Sequence, residues 1–517
     1  MRSVVKILLF VLMGFAVVGV IDSSTNVIHA AATSAPNHGG TLVVAVDQAP
    51  AGLDPHRATA FSSQRIVEQI YEGLVRFNSK LGIEPAIAES WDIQGKTTYI
   101  FSLRKGVRFH NGRELTADDV KYSFSRILDP KTGSYLASNF DSIKEIRVNS
   151  RYQVEFILKE PFAPFLQMLT TGYIVPKEVV EKEGDLQKVA VGTGPFKLKT
   201  LRPDAYILLE KNKDYYMPGL PYLDAVLFEI IPEASTRVAS FKTRNVDMLP
   251  ALDAVNVKLL ARSGNRDARI LKVEELAISN MGLNTVRAPL DDPRVRRAIS
   301  YAIDRKQIVD AVYQGDGSPS GPLPPSLTQW ALPIATFDSY SQDYAKARAL
   351  LKEAGHPTGI RFQITVSPQL KVAYDIAQII QEQLRPAGIN VELKTVEWGQ
   401  FIQDWKNGNF DAFVSIKGGS PDPDAYLYRP FLSTGSTNVY KYKNAKVDEL
   451  LDEGRSLTDR AQRKSVYNQV QQLLEEESPV IHIACAELYD VLQPNVKGYE
   501  QMANRSLTYL RQTWLDK

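Results

Sequence analysis

The segment 417–424 holds residue types that could bind a small polar solute. It reads Lys417, Gly418, Gly419, Ser420, Pro421, Asp422, Pro423 and Asp424. The adjacent glycines leave backbone N–H groups open to a ligand because no side chain shields them, and the carboxylates could accept hydrogen bonds from an amine. The alternative is that Asp422 or Asp424 only caps the helix that follows. The pattern predicts a ligand-binding loop made of Lys417, Gly418, Gly419, Ser420 and Asp422.

Two tryptophans, Trp398 and Trp405, form a second candidate. An aromatic face stacks on sugar rings, planar amides or cations at little entropic cost. The alternative is that these rings join Phe401 in the apolar stripe of a helix and pack into the core. The spacing favours core packing for Trp405 and leaves both roles open for Trp398, which we keep as a predicted ligand-binding residue.

The sequence lacks the arrangements that are typical of enzyme active sites. No two of its 6 histidines are close enough for a helical metal-binding motif. Neither a Gly-x-Ser-x-Gly elbow nor a Gly-x-x-x-x-Gly-Lys-Ser/Thr loop is present, and no pair of carboxylates has a spacing that indicates acid/base catalysis. We therefore expect a protein that is not an enzyme and that uses no metal or cofactor.

Alternating strands and helices must position these residues. The predicted elements are a strand at Phe362, Ile364 and Val366, a helix striped by Ile376, Ile379, Ile380 and Leu384, a strand at 390–396, a helix at 398–407 and a strand at 410–416. Such an order implies a largely parallel sheet with right-handed crossovers. Ligands collect at the carboxyl ends of such strands, which here are the loops after Val366, Val396 and Ile416.

The segment 88–127 carries the most specific pattern of the chain. Tyr99, Phe101 and Leu103 alternate as in a strand with one strongly apolar face. Asn111-Gly112 is a turn signal, and Thr116 is a good helix N-cap with Asp119 three residues later. These features predict a strand, a turn and an amphipathic helix.

The residue identities in this segment go further than its periodicity. They include Ala-Glu-Ser-Trp at 88–91, Leu-Arg-Lys-Gly-Val-Arg-Phe-His-Asn-Gly at 103–112 and Leu-Thr-Ala-Asp-Asp-Val-Lys-Tyr-Ser-Phe at 115–124. This block resembles the signature of the extracellular solute-binding proteins of family 5, the peptide- and nickel-type binding components of ABC importers. The resemblance implies an α/β fold of the periplasmic binding protein type II-like class, in which two lobes close around one ligand and an extra subdomain is inserted in the first lobe.

The resemblance also implies an organisation along the chain. We expect a signal peptide at 1–32, the first part of lobe I at 38–72, the inserted subdomain at 73–191, the second part of lobe I at 192–281, lobe II at 282–487 and a C-terminal return to lobe I at 488–517. The closed form would deliver its solute to an ABC permease at the inner membrane.

Several site residues follow from the resemblance alone. In the family the loop after the first strand reaches the ligand cleft, which implies that Gln48 and Ala49 bind the ligand here. The segment that begins at Asn284 also resembles the family, and Asn284 is a further predicted ligand-binding residue. The Glu397-Trp398 pair resembles a motif whose tryptophan lies near the cleft. One position departs from the pattern: peptide binders of the family typically hold the ligand's amino terminus with an aspartate, and Gly419 stands at that position.

The amino terminus predicts export. Arg2 and Lys6 precede an apolar run at 7–21, and Ala30-Ala31-Ala32 offers a cleavage site after Ala32. The only cysteine is Cys485, so no lipid-anchor cysteine follows the run and no internal disulfide can form. We expect a periplasmic protein that is a monomer.

Composition excludes one partner class and leaves the ligand open. A net charge of +2 without a basic block disfavours a nucleic-acid partner. The family spans peptides, opines, nickel complexes and oligosaccharides, and a fold does not choose among them. Two other functions stay open: a periplasmic sensory receptor or chaperone on the same fold, and a periplasmic hydrolase.

Overall fold

The computed structural model describes residues 35–58, 60–203, 205–262 and 267–516. The predicted signal peptide and its cleavage site lie outside these ranges. None of the helices within the described ranges combines the length and the apolarity that crossing a lipid bilayer requires.

The described strands are β1 (Thr41–Val46), β2 (Val75–Phe77), β3 (Ile83–Pro85), β4 (Ala88–Gln94), β5 (Thr98–Leu103), β6 (Ile143–Ser150), β7 (Gln153–Leu158), β8 (Phe196–Arg202), β9 (Tyr206–Lys211), β10 (Ala225–Ile230), β11 (Met248–Leu252), β12 (Arg269–Glu274), β13 (Ile278–Leu283), β14 (Gly317–Pro319), β15 (Ile360–Val366), β16 (Ile389–Thr395), β17 (Ala412–Lys417), β18 (Val480–Leu492), β19 (Val496–Lys497) and β20 (Trp514–Leu515).

The described α-helices are α1 (Phe61–Ile70), α2 (Ala117–Leu128), α3 (Phe165–Met168), α4 (Lys177–Glu183), α5 (Ala234–Lys242), α6 (Ala254–Arg262), α7 (Pro293–Ala302), α8 (Arg305–Val312), α9 (Tyr344–Glu353), α10 (Lys371–Leu384), α11 (Trp398–Asn407), α12 (Asp424–Phe431), α13 (Ala445–Ser456) and α14 (Arg460–Glu477).

Most of the strands belong to one large sheet with two halves. In the first sheet half, β1 lies between β10 and β11 and is parallel to both, and β9 and β8 continue the sheet in antiparallel pairing. In the second sheet half, β15 lies between β16 and β17 and is parallel to both. The predicted parallel arrangement of these three strands is confirmed, and β13 is added beside β17 in antiparallel pairing.

Two extended connections join the sheet halves. The 13-residue strand β18 begins beside β13 and ends beside β11 and β12. The chain also passes from β12 into β13 through the three residues 275–277. Each half buries its own apolar residues, with Phe228 in the first and Ile364 in the second. Each half therefore has the separate core that a lobe requires, although the lobe boundaries given above stay predictions.

A smaller sheet, β4-β5-β7-β6, packs on α2. Its own core is made of buried apolar residues that lie between Leu74 and Ile174 in the sequence. We call this part the inserted layer. The alternation of Tyr99 and Phe101 is confirmed, since both rings are buried. Helix α2 begins with the predicted capping box of Thr116 and Asp119, so the local interpretation of the most specific segment was correct.

Helix α1 differs from the sequence expectation. The spacing of Ile66, Ile70 and Leu74 by four residues predicts a helix from Gln64 to Leu74, but the helix ends at Ile70 because Tyr71 adopts an extended conformation, with φ −116° and ψ 155°. Leu74 is buried as predicted, although it lies in extended chain that leads into the inserted layer.

Candidate functional site

A cavity of about 410 Å³ lies where α1, the inserted layer and the segment 502–511 meet. Its lining residues are Phe61, Gln64, Arg65, Glu68, Tyr71, Glu72, Gly73, Val75, Arg76, Phe77, Ala86, Tyr135, Thr170, Thr171, Tyr173, Pro195, Tyr215, Gly419, Met502, Asn504, Arg505, Ser506, Thr508 and Arg511. The volume falls within the range of about 300–1,000 Å³ that is usual for ligand sites. Its walls combine aromatic, hydroxyl and charged groups, which suits a polar solute.

The segment 502–511 is fixed by hydrogen bonds to the rest of the protein. Ser506 Oγ donates to Glu68 Oε2 at 2.6 Å, and the backbone N–H of Leu507 donates to Glu68 Oε1. Arg505 Nε donates to Glu275 Oε1 at 2.7 Å, next to the connection between β12 and β13. The C-terminal wall is therefore tied both to α1 and to the connection between the sheet halves.

Glu72 lies at the centre of a hydrogen-bond network in one wall of the cavity. It accepts hydrogen bonds from the hydroxyls of Tyr215 at 2.8 Å, Tyr216 at 3.1 Å and Thr193 at 3.3 Å. Arg76 Nη1 lies 3.9 Å from it. Burial raises the pKa of Glu72 despite these partners. Its oxygens are occupied by the protein, so Glu72 holds the wall together.

Four arginines also line the cavity, and each has a carboxylate partner within 4 Å. Arg65 lies 3.3 Å from Asp47, Arg76 lies 2.7 Å from Glu84, and Arg511 lies 3.6 Å from Glu84. Arg505 pairs with Glu275, as described above. Each arginine of the walls therefore has an acidic partner nearby, and Arg76 and Arg511 share Glu84.

Of the predicted binding loop, Gly419 lines this cavity. A Cβ atom at Gly419 would lie 1.7 Å from the hydroxyl oxygen of Tyr426. Tyr426 is fully buried, and its hydroxyl donates to the Leu276 carbonyl at 2.6 Å. The tyrosine thus occupies the space that a side chain at 419 would need, which is a structural reason for the glycine.

The neighbours of Gly419 have different surroundings. Lys417 Nζ donates to the Tyr426 carbonyl, and burial lowers the pKa of this lysine to about 7. Gly418 is exposed, and a Cβ atom added there would have no other atom within 4 Å. Ser420 Oγ accepts a hydrogen bond from Gln167 Nε2 of the inserted layer at 2.8 Å. The loop therefore touches the inserted layer directly through Ser420.

Asp422 serves the capping role that the sequence left as the alternative. Its Oδ1 accepts from the backbone N–H of Asp424 at 2.9 Å, and both oxygens accept from Arg463 at 2.6 and 2.7 Å. Both side chains are buried. Both of its oxygens already have partners within the protein, which favours the capping alternative, and a ligand-binding role for Asp422 stays a prediction. Asp424 is paired in the same way with Arg455.

The residues predicted in the loop after β1 lie on the surface. Gln48 is exposed and Ala49 is partly exposed, and neither lines the cavity. The same loop is held at Asp54, which is fully buried and lies 2.5 Å from Arg126 of α2. A binding role for Gln48 and Ala49 stays a prediction.

Asn284 lies away from the predicted loop and outside the cavity lining, and its binding role stays a prediction. Because β13 runs antiparallel to β17, Asn284 follows Leu283 at the edge opposite to Lys417. Its amide is buried and donates to the carbonyls of Gly408 and Phe410, both at 3.1 Å. Asn284 ties a strand end to the end of α11.

Trp398 is the first residue of α11 and is 38% exposed. Its ring stacks on Phe401, with centroids 5.4 Å apart and an angle of 11°. It does not line the cavity. Trp405 packs against the core of the second sheet half, which agrees with the favoured interpretation.

Comparison with known proteins decides the family. Residues 82–438 match the family described as bacterial extracellular solute-binding proteins, family 5 Middle. The chain belongs to this family. It is 30% identical to the oligopeptide-binding protein AppA of Bacillus subtilis, with 93% of each chain covered. It is 31% identical to heme-binding protein A of Haemophilus influenzae, again with 93% of each chain covered.

A solved structure supports the same conclusion. The ABC transporter-associated periplasmic binding protein DppA of Helicobacter pylori, in complex with the peptide STSA, superposes with a TM-score of 0.77 at 29% identity, covering 93% of this chain and 99% of that chain. The expected periplasmic binding protein fold is therefore confirmed. Members of family 5 are binding proteins, so this protein is a solute-binding component of ABC import and not an enzyme.

Sequence reasoning missed most of the cavity walls of this family 5 protein. Arg65, Glu68 and Glu72 sit on or beside α1, where charged residues between apolar positions indicate a solvated face. The segment 502–511 has no periodic pattern. The one available signal was the pair Arg65 and Glu68 next to the stripe of Ile66 and Ile70, and that signal does not distinguish a cavity from solvent.

Within the described residues, no group of three or more histidine, cysteine, aspartate or glutamate side chains could hold a metal ion. The side chains that line the cavity offer hydrogen bonding, ion pairing and aromatic contact. These are the interactions by which a receptor holds a solute without changing it.

Proposed function

We propose that this protein captures a short peptide in the 410 Å³ cavity and delivers it to an ABC permease. The cavity is the main support for the proposal, because its walls come from distant parts of the chain and offer both charged and aromatic groups. AppA is described as oligopeptide-binding, and DppA of Helicobacter pylori holds a peptide. Both likenesses support a peptide as the solute.

Contacts between the inserted layer and the second sheet half support a closing mechanism. Gln167 donates to Ser420 at 2.8 Å, the Ala163 N–H donates to the Arg455 carbonyl at 2.8 Å, and Arg429 donates to the Ser138 carbonyl at 2.9 Å. A ligand that contacts residues on both sides favours the conformation in which these bonds form. The closed conformation is then the one that the permease recognises.

We further propose that the protein acts as a monomer in the periplasm after removal of residues 1–32. The basic start and apolar run of that segment support export. Family 5 proteins are extracellular solute-binding proteins, which supports the same compartment.

Blocking the cavity tests the proposal. The variant Thr171→Trp adds an indole to a wall residue, and Thr336→Trp is the matched control at an exposed position. Each threonine hydroxyl donates to the carbonyl three residues earlier, at 3.0 and 2.7 Å. Native mass spectrometry with a pool of tripeptides should detect bound peptide in the wild type and in Thr336→Trp and a loss of at least tenfold in Thr171→Trp. Absence of binding by the wild type, or equal binding by Thr171→Trp, would contradict the proposal.

A further inference from the structure

Glu68 differs from the other charged residues that line the cavity. Each lining arginine has a carboxylate within 4 Å, and Glu72 accepts three tyrosine or threonine hydroxyls. Among the described residues, no lysine, arginine or histidine nitrogen pairs with the Glu68 carboxylate within 4.0 Å; its hydrogen bonds come from Ser506 and Leu507. Glu68 is thus a partly buried acid without a direct counter-ion.

The Glu68 carboxylate also keeps room for a ligand. An ionised carboxylate offers about four acceptor sites, and the two donors from the protein leave about half of them free. Glu68 is only partly buried, whereas its helix neighbours Val67 and Gln69 are fully buried. Since Glu68 lines the cavity, its remaining accessible surface faces the space where a solute would lie.

A second wall of the same cavity lacks an acid. Gly419 lines the cavity but has no side chain, and Tyr426 occupies the space that a side chain would need. A carboxylate for a ligand amine therefore has to come from another element, and Glu68 on α1 is the cavity acid that has two donors and no ion-pair partner among the described residues, whereas Glu72 has three donors and Arg76 at 3.9 Å.

We propose that Glu68 is the amine anchor of this cavity and binds the ammonium group at the amino terminus of a short peptide. The proposal rests on the proposed function, since it assumes that the peptide occupies the cavity. An uncompensated carboxylate removed from water is costly unless a cation pairs with it. A ligand ammonium would supply the missing partner, whereas a ligand anion would meet arginines that are already paired.

The surroundings of Glu68 make this interaction dependent on pH. Burial raises the pKa of Glu68 to about 7, against the opposing effects of the hydrogen bonds from Ser506 and Leu507 and the charges of Arg65 and Arg511. Tyr173 and Tyr499 also face Glu68, and burial raises the pKa of both, so they stay neutral. Because an ammonium binds the ionised carboxylate, affinity should rise between pH 5.5 and 7.5, above which the peptide amine, with an ordinary pKa of about 7.7–8.0, begins to lose its proton.

The test compares two tripeptide pools on the full mature chain. Both pools are synthesised without lysine and arginine, and one is acetylated at the amino terminus. Native mass spectrometry and competition calorimetry measure binding to the wild type, to Glu68→Gln and to Glu89→Gln. Glu89→Gln is the control, since it removes the same charge from an exposed position of the inserted layer. Charged hydrogen bonds contribute about 1.5–3 kcal/mol, so loss of the anchor should weaken binding by about tenfold or more.

At pH 7.5 the wild type and Glu89→Gln should prefer free-amine tripeptides over acetylated ones by at least tenfold, and their affinity for the free-amine pool should rise from pH 5.5 to 7.5. Glu68→Gln should lose both the preference and the rise while keeping weak binding of both pools. If the wild type binds acetylated tripeptides equally well, or if Glu68→Gln keeps the preference, the anchor is elsewhere and the proposed function still stands. If the wild type binds neither pool, the proposed function itself fails.

Discussion

The loop 417–424 and the wall formed by α1 both present carboxylates near the cavity, but the two carboxylates have opposite surroundings. Asp422 in the loop is held by two hydrogen bonds from Arg463, at 2.6 and 2.7 Å. Glu68 on α1 has only neutral donors. Residue type alone does not separate them. The partner within hydrogen-bond reach decides which acid stabilises the fold and which is available to a ligand.

The largest expected effect is at Asp422. The variant Asp422→Ala leaves Arg463 buried without its partner, which costs about 3–5 kcal/mol of unfolding free energy. Urea denaturation measures this loss. Glu145→Ala is the control: it removes a surface partner of Arg147 and should leave the unfolding midpoint almost unchanged. Equal midpoints for the two variants would show that Asp422 is not structural.

The second prediction concerns whether the loop can carry the acid that it lacks. Gly419→Asp forces Tyr426 from its buried position, since the new Cβ would lie 1.7 Å from the hydroxyl oxygen, and such overpacking costs about 1–3 kcal/mol. Gly418→Asp places the same charge one residue away in open space and should be nearly neutral. Thermal unfolding of both variants checks this, and a stable Gly419→Asp protein would contradict the steric argument.

The third prediction uses the raised pKa of Glu68. The pKa is about 7 in the folded protein against 4.5 for an ordinary glutamate, so between these values the folded state binds more protons than the unfolded state. Stability relative to Glu68→Gln should therefore fall as pH rises from 4.5 through 7. The expected change in unfolding free energy is about 2 kcal/mol, a value that already allows for the partial solvent access of the side chain. Denaturation of both proteins at pH 5 and pH 8 measures it, and parallel profiles would contradict the shift.

The smallest effect is expected at the two exposed aromatic residues that begin helices. Phe61 begins α1, lines the cavity and is 58% exposed, whereas Trp398 begins α11 and lies outside the cavity. Phe61→Ala should weaken tripeptide binding several-fold, while Trp398→Ala should leave affinity unchanged and reduce stability by about 1 kcal/mol through loss of its stacking on Phe401. A loss of affinity in Trp398→Ala would extend the site to the carboxyl end of β16, as the sequence had suggested.

Local elements were predicted well because their signals are short in sequence. Val366, Ile380 and Thr116 belong to alternating, helical and capping patterns that span fewer than about twenty residues, and the structure has each of them in its expected element. The candidate site was predicted less well. Gly419 lines the cavity, whereas Asp422 and Asn284 bond to other parts of the protein. Their binding roles and the lobe boundaries stay predictions.

By itself the sequence determined the family, the local elements and the absence of an acid at position 419. These follow from residue identities and from periodicities that neighbouring residues share. The tertiary structure alone decided which carboxylates are paired. Asp422 and Arg463 are 41 residues apart in the chain, and Glu68 and Ser506 are 438 residues apart. Burial among such distant partners, rather than any local pattern, determines the free-energy cost of a charge and therefore its role.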